Sequence, residues 1–180
     1  ADYVNLDLYG VQYAAEPAAC PLVKINPTTG EVTTIGGGVA SLTGLAYDVT
    51  TGNTYVIDIN GVLYTIDLNT GATTTIGGSY AGAIGLACSK TGVLYAISVT
   101  TDNLAIIDKT TGAASPVGNL NQAISYAQDI AFDRDNNILY GTLYTTTGGL
   151  YTIDTLTGAA TLIATVTDEL TGFAIPFAPE

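Results

Sequence analysis

The ionisable side chains of this sequence are almost all carboxylates: 16 Asp and Glu stand against 4 Lys and Arg, and there is no His. Without His, the Ser-His-Asp and Cys-His nucleophile arrangements are out of reach. Asp48 with Asp58, or Asp58 with Asp67, would be the carboxylate pairs for hydrolysis of a glycosidic bond. That chemistry needs a fixed separation in a cleft and one raised pKa, and the sequence shows neither. Cys20 and Cys88 are too few for a zinc site and their spacing matches no metal motif. Gly36-Gly37-Gly38 follows a strand-like segment without opening a helix, so it is a loop and not a phosphate cradle. The expectation is a protein with no catalytic residues and no organic cofactor, and not an enzyme.

Two carboxylate patterns remain. Asp133, Asp135 and Asn137 place oxygen side chains at alternate positions, with Asp129 just upstream, and would form part of a Ca²⁺ shell. The glycine and distant glutamate of a calcium-binding loop are missing. The competing reading is an acidic hairpin turn partly neutralised by Arg134. Asp67, Asp108 and Asp154 share one repeat position with Asn26. They form either a ring of carboxylates for a cation or glycan, or caps on local turns. Asn26 favours the turn, because an amide oxygen accepts backbone N–H groups as a carboxylate does.

These residues sit on a repeat. Leu63-Tyr64-Thr65-Ile66-Asp67-Leu68-Asn69-Thr70-Gly71 recurs from Leu150 to Gly158, and more loosely from Leu22 to Gly30 and from Leu104 to Gly112, at spacings of 41, 41 and 46 residues. A second segment keeps step: Gly44 to Asp48, Gly85 to Ser89, Asp129 to Asp133 and Gly172 to Pro176. Apolar and polar residues alternate along the segments, and Thr-Gly and Asn-Gly pairs punctuate them, as in strands joined by hairpins. Four strands per unit of this length predict a propeller. The chain is therefore read as one all-β domain, residues 1–180, a four-bladed β-propeller of four-stranded antiparallel repeats. The repeats run about 9–52, 53–92, 93–136 and 137–180. The phase at the ends predicts closure by pairing of the N-terminal strand, near Leu6 to Val11, with the C-terminal strand Gly172 to Phe177. Most tyrosines fall on strands and are expected to fill the wedges between blades.

The Leu-Tyr-x-Ile-Asp-x-x-Thr-Gly core resembles that of β-propeller repeat proteins, among them quinoprotein-like and related extracellular bacterial repeat proteins. The resemblance runs from about Leu8 to Phe177 and implies the fold. It does not carry the quinone-dependent activity, because the chain has no Trp or His and a single Arg for stacking and clamping such a cofactor.

The formal charge of −12, with no cluster of basic residues, disfavours nucleic acid as a partner. No apolar run is long enough for a membrane-spanning helix, so no membrane insertion is expected. Few Lys, many Thr and Tyr, no Met and an Ala1 start suggest an exported chain, extracellular or on a cell surface. The expected role is a non-enzymatic structural subunit that self-associates into an oligomer, fibre or surface layer through its termini and exposed loops. The alternative is a cell-surface propeller that binds carbohydrate or protein. Tyr80 and Tyr126, in connections between repeats, and Asp2 and Asp7, near the N-terminus, are the candidate interface residues. Cys20 is read as available to a second chain, and Cys88 as a buried small apolar residue.

Overall fold

The computed structural model describes residues 7–16 and 18–176. Every regular element in it is a strand: β1 Leu8–Val11, β2 Leu22–Ile25, β3 Val32–Gly36, β4 Leu42–Asp48, β5 Asn53–Asp58, β6 Leu63–Ile66, β7 Thr73–Gly77, β8 Ala83–Cys88, β9 Leu94–Ser98, β10 Asn103–Ile107, β11 Ala114–Asn119, β12 Asp129–Asp133, β13 Ile138–Tyr144, β14 Gly148–Ile153 and β15 Ala160–Val166. They form four antiparallel sheets in chain order, β1-β2-β3, β4-β5-β6-β7, β8-β9-β10-β11 and β12-β13-β14-β15. Each sheet is a blade, and the protein is an all-β, four-bladed propeller.

Local chemistry sets the hairpins. In the turn between the last two strands of each blade, the Asp or Asn oxygen accepts two backbone amides. Asn26 takes Thr28 and Thr29, Asp67 takes Asn69 and Thr70, Asp108 takes Thr110 and Thr111, and Asp154 takes Leu156 and Thr157. The glycine that follows bonds back to the same residue's carbonyl in a left-handed conformation that suits glycine.

The core lies between blades. Tyr55, Ile57, Leu63, Leu86, Cys88 and Leu94 are among the residues packed between the second and third blades. Tyr95, Ile97, Ile130, Phe132, Leu139 and Tyr151 do the same between the third and fourth. The first strands of the blades contribute a regular pairing of large with small. Ala46 shares one cluster with Leu86 and Cys88, and Ala87 shares the next with Ile130 and Phe132. Near the axis there is room for a bulky side chain from one strand only if its neighbour offers Ala.

Glycine contacts lock successive blades at the far end of the sheets. A Cβ at Gly37 would collide with Gly71 O, one at Gly78 with Gly112 O, and one at Gly158 with Gly118 O. Gly38 N–H donates to Gly71 O at 2.8 Å. Three junctions are clasped in this way. At the fourth, a Cβ on Gly30 would meet nothing within 4 Å among the described residues.

The closing ladder was expected within the first blade, which borders that fourth junction. The first sheet has three strands, and residues 171–176 run without strand pairing. The segment nevertheless takes the fourth inner position: Phe173, Ala174 and Ile175 line the axis together with β4, β8 and β12. The ring is thus completed by the placement of this segment and not by a ladder among the described residues. Among the described residues, the Phe173 amide of this segment bonds a side chain of the fourth blade, Asp129, as set out below. Leu6 and Phe177, at the limits of the expected pairing, lie outside the described residues.

Candidate functional site

The four inner segments surround a cavity of about 110 Å³ on the ring axis. Its walls are Leu45, Ala46 and Tyr47, their counterparts in the next two blades, and residues 173–175. One charged side chain lines it. Arg134 donates through Nη2 to Tyr47 O and through Nε to Cys88 O at 3.4 Å. A guanidinium from the fourth blade thus joins the inner strands of the second and third. Burial draws the Arg134 pKa below its ordinary value, opposed by the nearby Cys88, Asp48 and Tyr47. Burial pushes the Cys88 thiol up to about 11, so it is not a thiolate nucleophile at neutral pH. Arg134 therefore serves the axis as well as standing in the acidic turn.

Beside the axis lies a buried ion pair between blades. Asp48 is fully buried, and Lys109 Nζ, from the turn after β10, is 2.6 Å from its Oδ2. Thr50 donates its amide at 2.9 Å and its hydroxyl at 2.7 Å to Oδ1, and Thr51 donates its hydroxyl to Oδ2 at 3.0 Å. Burial alone would raise the Asp48 pKa. The Lys109 bond and the three threonine donors outweigh it and hold the carboxyl at about 2. Asp58 is also buried, and it accepts the amides of Asn60 and Val62 and the hydroxyl of Tyr64. Each carboxylate of the imagined hydrolytic pair is bound into its own turn.

A third carboxylate meets the C-terminal segment. Asp129 Oδ2 accepts Phe173 N–H at 2.9 Å, and its Oδ1 accepts Ile130 N–H at 2.8 Å. Thr142 Oγ1 donates at 3.3 Å to Asp129 O and to Leu170 O. Burial pushes the Asp129 carboxyl up to about 7, against the pull of the two amides. Beside it, Gln128 is buried; its Nε2 donates to Ser125 O at 2.9 Å while its Oε1 has no partner among the described residues.

The residues singled out from sequence fall at several places on the fold, with Asp133, Asp135 and Asn137 sharing one turn. Asp133 caps its own turn, with Oδ1 accepting the amides of Asp135 and Asn136 at 3.1 Å and Oδ2 accepting Asn136 Nδ2 at 2.7 Å. Asp135 and Asn137 are exposed on that turn. Among the described residues, no group of three His, Cys, Asp or Glu is placed to hold a metal ion. Tyr80 is not a surface residue: it is buried between blades, and its hydroxyl donates to Asn103 O at 2.8 Å. The connection that carries it folds inward because Gly61 lets the Tyr80 backbone approach. Tyr126 is 71% exposed and packs edge-on against Tyr144, with ring centroids 5.8 Å apart. Asp7 is exposed and paired with Lys24 at 2.6 Å. Asp2 lies outside the described residues. Cys20, read as available to a second chain, is fully buried among Leu22, Leu42 and Val56. A proline-flanked loop gave no sign of that packing.

A feature not singled out from sequence lies on the outer edge of the fourth blade. β15 spans seven residues, Ala-Thr-Leu-Ile-Ala-Thr-Val, with Leu162 49% and Ile163 51% exposed. The outer strands β3 and β7 are five residues each, and β11 contains Pro116. Among the described residues, none from 161 to 166 makes a backbone bond beyond its own ladder.

No family model matches the chain, and no curated protein is significantly similar to it in sequence. Solved structures share the fold. The nidogen/laminin complex superposes with a TM-score of 0.64 at 15% identity, covering 88% of this chain and 61% of that one. A structural-genomics protein of unknown function from Bacteroides thetaiotaomicron gives 0.64 at 16% identity, covering 88% and 40%. TolB from Acinetobacter baumannii gives 0.55 at 16%, covering 86% and 40%. The chain spans less than two thirds of the length of each. At these identities the likeness is one of propeller fold alone.

Proposed function

We propose that this propeller is a non-enzymatic structural subunit, extracellular or on a cell surface, that self-associates through the free edge of β15. The observation that carries the reading is that edge: seven residues without charge or proline, two of them large, apolar and half exposed. Edge strands present unpaired N–H and C=O groups, and sheet proteins ordinarily guard them with charge, proline or short length. Here β11 carries proline and β3 and β7 are short, while β15 has none of these guards. A second copy of the chain is a fitting occupant, since strand pairing between copies needs only backbone donors and acceptors on both sides. Tyr126 with Tyr144, and Asp7 near the N-terminus, are secondary contacts of the same proposal. A chain of the nidogen/laminin complex shares the fold, so a propeller of this kind occurs within a protein–protein complex. The ligand-binding alternative would use the axial cavity. At about 110 Å³ that cavity is small beside the roughly 300–1,000 Å³ of pockets for drug-sized molecules.

Sedimentation of the intact chain over a wide concentration range tests the reading, alongside Leu162→Lys and Ile163→Lys. Assembly of the parent and its loss in the lysine variants, with unchanged thermal stability of the monomer, is the expected result. A parent that stays monomeric throughout, or lysine variants that assemble like the parent, would overturn it.

A further inference from the structure

The four outer strands share an irregularity that β15 alone places at its centre. In each blade the outer ladder skips one residue: Ile35 in β3, Ile76 in β7, Val117 in β11 and Ile163 in β15. A bulge of this kind disturbs pairing along an edge. Beyond the skipped residue the ladder keeps only Gly36 in β3, Gly77 in β7, and Gly118 with Asn119 in β11. In β15 it keeps Ala160 to Leu162 on one side and Ala164 to Val166 on the other. Ile163 also differs in its cover. Ile35, Ile76 and Val117 pack against the apolar clusters between blades, whereas Ile163 is 51% exposed. Residues 161–165 are exposed without a break, and they carry no charge in a chain of formal charge −12. Ala160 N–H is taken by Leu120 O, so the exposed free edge is residues 161–165, with Ile163 in the middle.

We infer that two copies of the chain pair through β15 about a two-fold axis at Ile163, with the strands antiparallel, to give a closed dimer. This rests on the reading of β15 as the contact edge, and it fixes the register of that edge and where assembly stops. In this register the two bulges face each other at the axis and regular residues face regular residues. Leu162 stands opposite Ala164 of the other copy, and Thr161 opposite Thr165. The two Ile163 side chains meet across the strands as an apolar pair, an arrangement that stabilises neighbouring strands. Charge selects the antiparallel sense. Parallel strands in register would set Asp154, Asp168 and Glu169 beside the same residues of the other copy, and like charges directly opposite are destabilising. The antiparallel sense carries Asp168 and Glu169 toward the uncharged Gly158 and Thr157 instead. It also carries Leu170 toward Leu156, two apolar side chains that are 42% and 87% exposed. An edge that pairs with its own copy is self-complementary, so the contact is used up once made and does not propagate. The two fourth blades then join into one continuous sheet, four strands from each copy.

Sedimentation of the full chain together with thiol cross-linking tests the dimer. Cys20 and Cys88 are buried, so an introduced cysteine is the one that reacts. The mass of the parent is expected to level off at twice that of the chain as concentration rises. A bifunctional thiol reagent with a reach of about 8 Å should link Ile163→Cys to itself, since opposite residues of an antiparallel pair stand about 5 Å apart. Thr161 and its own copy would stand about 13 Å apart along the strands, at about 3.3 Å per residue, and so would Thr165 and its copy. Thr161→Cys and Thr165→Cys should therefore link poorly alone and well when mixed, as a covalent heterodimer. A parent that stays monomeric throughout would overturn both the dimer and the reading of the edge. Growth beyond a dimer, no linking of Ile163→Cys in an assembled sample, or self-linking of Thr161→Cys and Thr165→Cys that exceeds linking of their mixture would overturn the two-fold dimer. In those three cases, loss of assembly in Leu162→Lys would leave the edge reading standing.

Discussion

Replacing Lys109 by Met removes the only cation bonded to the fully buried Asp48 among the described residues. Three donors from Thr50 and Thr51 remain, so the carboxylate is not stripped bare. Breaking one side of a buried pair costs about 3–5 kcal/mol. The lower end applies here, because the Lys109 side chain is 27% exposed and water already screens it. The pH dependence gives a separate measure. Asp48 is held at about 2 against an ordinary 3.8, which at about 1.4 kcal/mol per pH unit is about 2 kcal/mol of stability. Its folded pKa is lowered, so this stability is present above the unfolded value and is lost as pH falls from about 4 through about 2. Urea unfolding of the parent, Asp48→Asn, Lys109→Met and the double variant, at pH 7 and through this acid range, reads both quantities. The expected results are a loss of about 3 kcal/mol in Lys109→Met and a double variant much less destabilised than the sum of its parts. The difference between the parent and Asp48→Asn should shrink as pH falls from 4 to 2. Strict additivity at pH 7, or a difference that does not change with acid, would refute the reasoning.

The two ends of the glycine series at the axis should respond differently to the same change. Gly44→Ala forces a Cβ against the Leu86 backbone and should cost about 2 kcal/mol in chemical denaturation. Gly172→Ala, at the same repeat position, meets nothing within 4 Å among the described residues and should stay within about 0.5 kcal/mol of the parent. Both thiols are buried, so Cys20 and Cys88 should resist a thiol reagent at pH 8 in the native protein and react in urea. Rapid native labelling of Cys20 would return it to the exposed loop expected from sequence.

The blades were legible because strand period, turn chemistry and repeat all point the same way. Asp67, Asp108 and Asp154 sit in the turns that the Asn26 substitution had indicated, and β4, β8 and β12 fall on the segments from Gly44, Gly85 and Asp129. What the sequence hid depends on contacts between blades. Tyr80 is buried because Gly61 of the preceding turn admits its backbone, a fact that no local pattern records. Arg134 looked like a neutraliser of its acidic neighbours, yet it reaches the carbonyls of Tyr47 and Cys88, which are far away in the chain. Asp129 was visible as the odd residue in a column of glycines, but its meaning needed the segment that lies against it. Closure was read from phase alone, and phase fixes where the last segment goes but not which groups hold it there.

The uneven joints of this ring give it an uneven stiffness. When compliant and stiff elements share a load in series, the displacement collects in the most compliant one. Three junctions interlock backbone against backbone through Gly37 with Gly71, Gly78 with Gly112, and Gly118 with Gly158, and among the described residues the fourth has no such interlock at Gly30. Over those residues the ring is mechanically split. Heating, tension or the seating of a neighbour should spread the gap between the last blade and the first. The other three should move as one arc, and the apolar layers between β4, β8 and β12 should stay intact while the bore of the axis changes.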